Sequence, residues 1–123
     1  MRRYADLYKA LSDETRLGAL ALILKHGELC VCYVEAVLEI TQSKASRHLR
    51  YLKNVGILDD RREGTWVHYR LSRSPTPEAA LVVKNNRKLL LALVEKDLEV
   101  KLETWLRSKD RCKTCSGIAR KAC

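Results

Sequence analysis

Between Thr41 and Leu71 the chain changes its apolar period once, and a glycine marks the change. Thr41 is a helix-capping residue, and Ala45, Leu49 and Leu52 follow at helical spacing, which predicts a helix over about Gln42–Val55. Gly56 stops it. Ile57–Arg62 and Thr65–Leu71 then read as two strands around Glu63-Gly64, so a hairpin. In the second strand Trp66, His68 and Arg70 share one face and Val67, Tyr69 and Leu71 the other, which is the better core face.

Upstream, Tyr4–Leu11 suits a short helix. Ser12 is the expected cap of a second, with Asp13 and Glu14 in its first turn, Leu17, Leu20, Ala21 and Leu24 inward, and His26-Gly27 at its end. A short third helix is expected from Cys32 to Glu39, and Ile40-Thr41 makes a tight turn into the next. Downstream, Thr76 caps a helix with Pro77 in its first turn. It runs to about Lys109 unless Asn85-Asn86 breaks it, and its stripe Leu91, Val94, Leu98, Leu102 and Trp105 is suited to a partner chain. The fold class is therefore mainly α with a small β-hairpin, a winged helix-turn-helix, homodimeric through its terminal helices. The expected division is a DNA-binding and dimerisation domain over residues 1–109, for which the charge gives the reason below, and a basic, cysteine-containing tail over 110–123.

Charge gives the order its meaning. Lys and Arg number 24 against 15 Asp and Glu, a net +9 that calls for a polyanionic partner. Residues 42–73 hold 8 basic and 3 acidic side chains and residues 111–123 hold 4 and 0, whereas the remainder is nearly neutral. Apolar runs reach only six residues, at Ala19–Leu24 and Leu89–Val94, against the ~20 of a membrane span. Without an apolar leader after Met1 the expected location is cytoplasmic. In a winged helix-turn-helix the second helix of the motif meets base edges in the major groove of double-stranded DNA. Gln42 and Arg47 suit bidentate base contacts, while Ser43, Lys44 and Ser46 suit phosphates or single base contacts. Arg50 and Lys53 lie nearer the backbone, and Arg61 and Arg62 supply the wing. His48 is either a DNA contact or a core-edge histidine hydrogen-bonded within the fold.

Leu11-Ser12-Asp13-Glu14-Thr15-Arg16-Leu17, the segment Thr41–Leu58 and the hairpin Arg62–Leu71 resemble the ArsR/SmtB family of bacterial metal-responsive repressors. The resemblance covers about residues 4–106 and implies a homodimer that represses an operon until a metal ion releases it. Glu28-Leu29-Cys30-Val31-Cys32 resembles the arsenic-sensing branch, in which the two cysteines bind trivalent arsenic or antimony. Many members carry a third cysteine where this chain has Glu35, a poor ligand for so soft an ion. A third thiolate must then come from Cys112, Cys115 or Cys123, in a basic setting that favours thiolate. A separate zinc site of those three is a further option. The family's zinc sensors use histidines and carboxylates on the final helix, and His26, His48 and His68 all lie elsewhere.

Residues i and i+2 of a helix do not face each other, so Cys30 and Cys32 are expected to share one ion only if the third helix bends or unwinds at its start. Binding would then shift the recognition helices. A coupling of about 1–3 kcal/mol suffices to weaken DNA binding about 5- to 150-fold. The expected function is an operator-binding repressor with arsenite or antimonite as effector and no organic cofactor. The alternative is a repressor of the same fold switched by thiol–disulfide exchange. A Cys112/Cys115 redox enzyme would need a βαβ setting that the pattern does not contain, and an architectural DNA binder would ignore both signals. No Ser–His–Asp set, phosphate-binding glycine loop or catalytic carboxylate pair is present in the sequence.

Overall fold

Helix caps divide the N-terminal half. This computed structural model describes residues 1–94. Helix α1 spans Arg2–Ala10, and α2 spans Glu14–His26 with Asp13 as its cap, the carboxylate accepting from the Arg16 N–H at 3.0 Å. The cap is one residue later than the sequence pattern suggests, because the Ser12 hydroxyl turns back to the Lys9 carbonyl at 2.7 Å. Gly27 ends α2 at φ 91°, a conformation that a Cβ would oppose.

A short strand, β1 (Glu28–Cys30), follows directly and was not expected. Helix α3 covers Val31–Leu38, one residue earlier than predicted at each end. Glu39 closes it in the left-handed region, φ 56° and ψ 47°, and leads into the tight turn before α4 (Gln42–Asn54). Strands β2 (Leu58–Glu63) and β3 (Trp66–Leu71) form the expected hairpin around Gly64, whose φ of 63° is what a two-residue connection requires. The sheet order is β1-β3-β2, antiparallel throughout, so the hairpin's second strand is central.

Helix α5 (Pro77–Leu93) is capped by the Thr76 hydroxyl, which accepts from the Ala79 N–H. It is continuous through Asn85-Asn86, and the Asn86 amide donates to the Val82 carbonyl at 2.8 Å, one turn back. The predicted continuation to Lys109, with Leu98, Leu102 and Trp105, the domain boundary at 109 and the tail cysteines Cys112, Cys115 and Cys123 lie outside the described residues.

Helix α2 is the hub. Ala19 through Leu24 are all buried, not only the predicted stripe, because α3, α4, α5, β1 and β3 surround the helix. Ala45, Leu49 and Leu52 of α4 seat against this core as expected. The sheet departs from expectation. Tyr69 is buried as predicted, but so is His68 on the opposite face. As the middle residue of three strands, His68 sits between Cys30 of β1 and Arg61 of β2. Among the described residues no helix is long and apolar enough to cross a membrane.

Candidate nucleic-acid interface and thiol pair

The rotation of α4 is fixed by its buried side, so the polar side is fixed too. With Ala45, Leu49 and Leu52 inward, Gln42, Ser43, Lys44, Arg47 and Arg50 are exposed and Ser46 is half-exposed. The Thr41 hydroxyl accepts from the Lys44 N–H at 3.2 Å and holds the first turn in register. Lys44 and Arg47 make no ion pair among the described residues. The helix thus presents amide, hydroxyl and cationic groups together at its N-terminal half, a combination suited to base edges and phosphates.

His48 lies elsewhere. Its Nδ1 is 3.3 Å from the Arg16 guanidinium and 3.8 Å from the Asp13 carboxylate, at the start of α2. Burial pushes its pKa down, the Asp13 charge opposes this, and the charges of Arg16, Arg47 and Lys44 add to the depression. Arg16 is the centre of the junction, a role the sequence reading does not assign. Its Nε donates to the Ala10 carbonyl at 2.6 Å and its Nη2 to that of Lys9 at 3.4 Å. The guanidinium carbon also stands 4.1 Å from the centre of the Tyr51 ring. One arginine therefore ties the end of α1 and the start of α2 to the middle of α4. Its partner Tyr51 lies 35 positions away, and no local pattern announces such a pair.

The two wing arginines separate. Alternation puts Arg61 and Arg62 on opposite faces of β2. Arg61 donates through Nε to Glu28 Oε1 at 2.9 Å, through Nη2 to the same oxygen, and through Nη1 to Glu63 Oε2 at 3.1 Å. Arg70 Nη1 is 3.8 Å from the second Glu28 oxygen, and His68 Nε2 is 3.7 Å from Glu63. Glu28 thereby joins all three strands. Arg62 is exposed on the other face, towards α4.

Cys30 and Cys32 meet across the β1–α3 junction as a disulfide, with Cα atoms 5.4 Å apart. Cys30 is fully buried at the end of the strand and Cys32 half-buried in the first turn of the helix. This corrects the expectation that the two sulfurs need an unwound helix to meet. Cys30 is the extended residue before α3, φ −79° and ψ 158°, so the i, i+2 rule for helices does not apply to the pair. Val31, between them, lines a cleft that separates α4 from the wing. Among the described residues no group of three or more His, Cys, Asp or Glu side chains gathers as a metal site.

Comparison with known proteins gives the family and the fold. Residues 13–60 match the family described as "Bacterial regulatory protein, arsR family". The chain is 39% identical over 118 residues to the arsenical resistance operon repressor of Escherichia coli (strain K12), covering 96% of this chain and 93% of that protein. It is 54% identical over 67 residues to the arsenic resistance transcriptional regulator ArsR2 of Pseudomonas putida, covering 54% of this chain and 58% of that protein. The fold is similar, with a TM-score of 0.58 and 29% identity, to the homodimeric winged helix-turn-helix DNA-binding domain Mb0332 from Mycobacterium bovis, covering 80% of this chain and 84% of that one. The chain belongs to the arsR family of bacterial regulatory proteins, with a winged helix-turn-helix fold.

Proposed function

We propose that this protein represses a metalloid-resistance operon by binding double-stranded operator DNA, and leaves it when trivalent arsenic or antimony binds Cys30 and Cys32. One observation carries the reading. The paired sulfurs flank Val31, and Val31 lines the cleft between the exposed helix α4 and the wing. An effector held by the reduced pair would therefore act beside a residue that lines the cleft between those two elements. The soft thiolates suit a trivalent metalloid, and the names of the Escherichia coli and Pseudomonas putida relatives point to the same effector class.

In this reading a third thiolate comes from Cys112, Cys115 or Cys123. Gln42 and Arg47 read bases, Ser43, Lys44 and Ser46 hold phosphates or single base contacts, and His48 positions α4 through Arg16. A homodimer through the terminal helices completes the repressor. Supporting it, α1 and α5 pack together and expose Tyr4, Tyr8, Leu81 and Leu89. Two such units would meet half-sites roughly 34–36 Å apart, or a multiple of that.

Fluorescence anisotropy of the reduced protein on its own promoter duplex, titrated with arsenite and separately with zinc, tests the proposal. Release by near-stoichiometric arsenite, absent in Cys30→Ser and Cys32→Ser variants that still bind DNA, is expected. Release of the double variant by arsenite would overturn the thiol assignment. The contact of the two sulfurs favours one second reading, a repressor switched by their oxidation. Release by a disulfide oxidant, reversed by dithiothreitol with no metalloid present, would select it.

A further inference from the structure

Cys30 shares its short strand with the acidic side chain that holds the wing. Alternation puts Glu28 and Cys30 on one face of β1 and Leu29 on the other. Leu29 is fully buried in the core, in register with Tyr69. On the outer face Cys30 is in register with His68, and His68 with Arg61, so one line crosses all three strands at the level of the thiols. Glu28 reaches diagonally across the sheet to that line. Its Oε1 accepts from Arg61 Nε at 2.9 Å and from Arg61 Nη2, and its Oε2 lies 3.8 Å from Arg70 Nη1. Arg61 continues to Glu63 Oε2 at 3.1 Å, next to Gly64 at the wing tip. Strand β3 separates β1 from β2. The Glu28–Arg61 ion pair is therefore a direct link from the thiol-bearing strand to the first strand of the wing.

We propose that Glu28 is a positioning residue that carries the state of the Cys30–Cys32 pair to the wing. The inference rests on the reading of that pair as the effector site. An atom bridging the two sulfurs ties the last residue of β1 to the first turn of α3, and so resets where Cys30 sits. Cys30 and Glu28 are two residues apart on one extended segment, about 7 Å of strand. Leu29 between them is pinned by the core, so a shift at Cys30 tilts β1 and moves Glu28 with it. Charge-assisted hydrogen bonds from a planar guanidinium are directional, so the link to Arg61 transmits a tilt that an apolar contact absorbs by sliding. Arg62 is the next residue of β2, exposed on the opposite face towards α4. Tilting β2 through Arg61 therefore re-aims the outward cation of the wing. The other route from the pair to α4 runs through the whole of α3 and the turn at Glu39.

The test is a thermodynamic square on the full-length reduced protein. DNA affinity is measured by anisotropy with and without saturating arsenite, and arsenite affinity by calorimetry with and without the promoter duplex. Both arms must return the same coupling factor. Glu28→Gln removes the charge and keeps the shape. It is expected to bind arsenite and DNA separately as wild type does, and to shrink the arsenite-induced loss of DNA affinity by about 2- to 30-fold, the range for side chains within a coupling network. Arg61→Gln is expected to shrink it equally, and the double variant no further, because the two residues form one link. Hydrogen exchange of the DNA-free protein reads the same link without a duplex. Arsenite is expected to change the protection of Leu58–Glu63 in wild type, but only that of residues 28–38 in Glu28→Gln. Undiminished release of Glu28→Gln by arsenite, or wild-type exchange in β2 that arsenite leaves unchanged, overturns the proposal and assigns the signal to α3. Arsenite affinity that falls in Glu28→Gln while the coupling factor stays at the wild-type value makes Glu28 a support of the thiol site alone, and overturns it equally. If arsenite does not release wild type from DNA, the metalloid reading fails first, and the proposal with it.

Discussion

The first half of α4 and the outer face of the sheet are both rich in positive charge, and the fold uses the charge in opposite ways. On α4, Lys44 and Arg47 are exposed without an ion pair among the described residues. On the sheet, Arg61 is held by Glu28 and Glu63, Arg70 by Glu28, and His68 faces Glu63. The first arrangement leaves cations available to an external polyanion, and the second consumes them in registering three short strands. A local charge count is therefore an upper bound on a binding surface. Arg61 and Arg62 make the point most sharply, being adjacent in sequence and on opposite faces of one strand.

The largest expected effect tests that division directly. Arg47→Ala should lose about 1–3 kcal/mol of operator affinity, or 5- to 150-fold, if its bidentate base contact is removed. Its thermal midpoint should stay at the wild-type value, because the side chain is exposed. Arg61→Gln should do the reverse, lowering the midpoint in differential scanning fluorimetry with little change in DNA affinity. Equal losses of affinity in the two variants would break the comparison.

Next in size is Arg16→Met, which keeps much of the aliphatic stem and removes the guanidinium. The bonds to the Ala10 and Lys9 carbonyls and the contact with the Tyr51 ring are lost together. A destabilisation of about 2 kcal/mol is expected in urea denaturation, in the range of charge-assisted hydrogen bonds with a cation–π contact. DNA affinity measured on the folded fraction should fall less than in Arg47→Ala. Arg16 then sharpens the contrast by marking a third use of a cation, joining helices.

What the sequence made legible follows from how local each cause is. The cap at Thr41, the inward Ala45, Leu49 and Leu52, and the hairpin turn at Gly64 are all encoded within a few residues. Strand β1 escaped because three residues cannot display a period of two, and its existence depends on β3 arriving 40 positions later. Burial of His68 escaped for the same reason, since alternation assigns a face but not the strand's central place in the sheet. Asn85-Asn86 suggested a break, and Asn86 instead bonds within the helix. The Cys30–Cys32 pair was legible as a pair, but the i, i+2 argument assumed a helix where Cys30 is still extended.

A smaller effect comes from pH. Burial lowers the His48 pKa below its ordinary value, so the unfolded chain binds the proton more readily than the folded one. The stability that comes from a neutral His48 is therefore fully present above about pH 6.5 and is lost as pH falls through the lower, folded value. His68 is lowered by burial in the same sense. Asp13 is also depressed, chiefly by the Arg16 backbone N–H, but its contribution is lost only below the ordinary carboxylate range near 3.8. Urea midpoints at pH 7.5 and 5.5 should differ less in His48→Gln than in wild type, with the remaining difference carried by other groups such as His68. An unchanged difference would place the acid sensitivity away from the α2–α4 junction.

The smallest expected effect concerns the turn that aims α4. Glu39 holds φ 56° and ψ 47°, with its N–H on the Glu35 carbonyl, in a region where a Cβ crowds the following carbonyl oxygen. Glycine removes that crowding, which is of order 1 kcal/mol, but it also gives the unfolded chain more freedom to lose. The balance for Glu39→Gly should be a gain of about 0.5 kcal/mol, because the left-handed position after a helix is the one where glycine costs least. The consequence for DNA is separate. If the turn only connects α3 to α4, operator affinity stays at the wild-type value while the thermal midpoint rises slightly. If affinity falls although stability rises, the constrained backbone at Glu39 is part of what aims the exposed cations of α4. The availability of those charges would then depend on the turn as well as on Lys44 and Arg47 having no ion pair among the described residues.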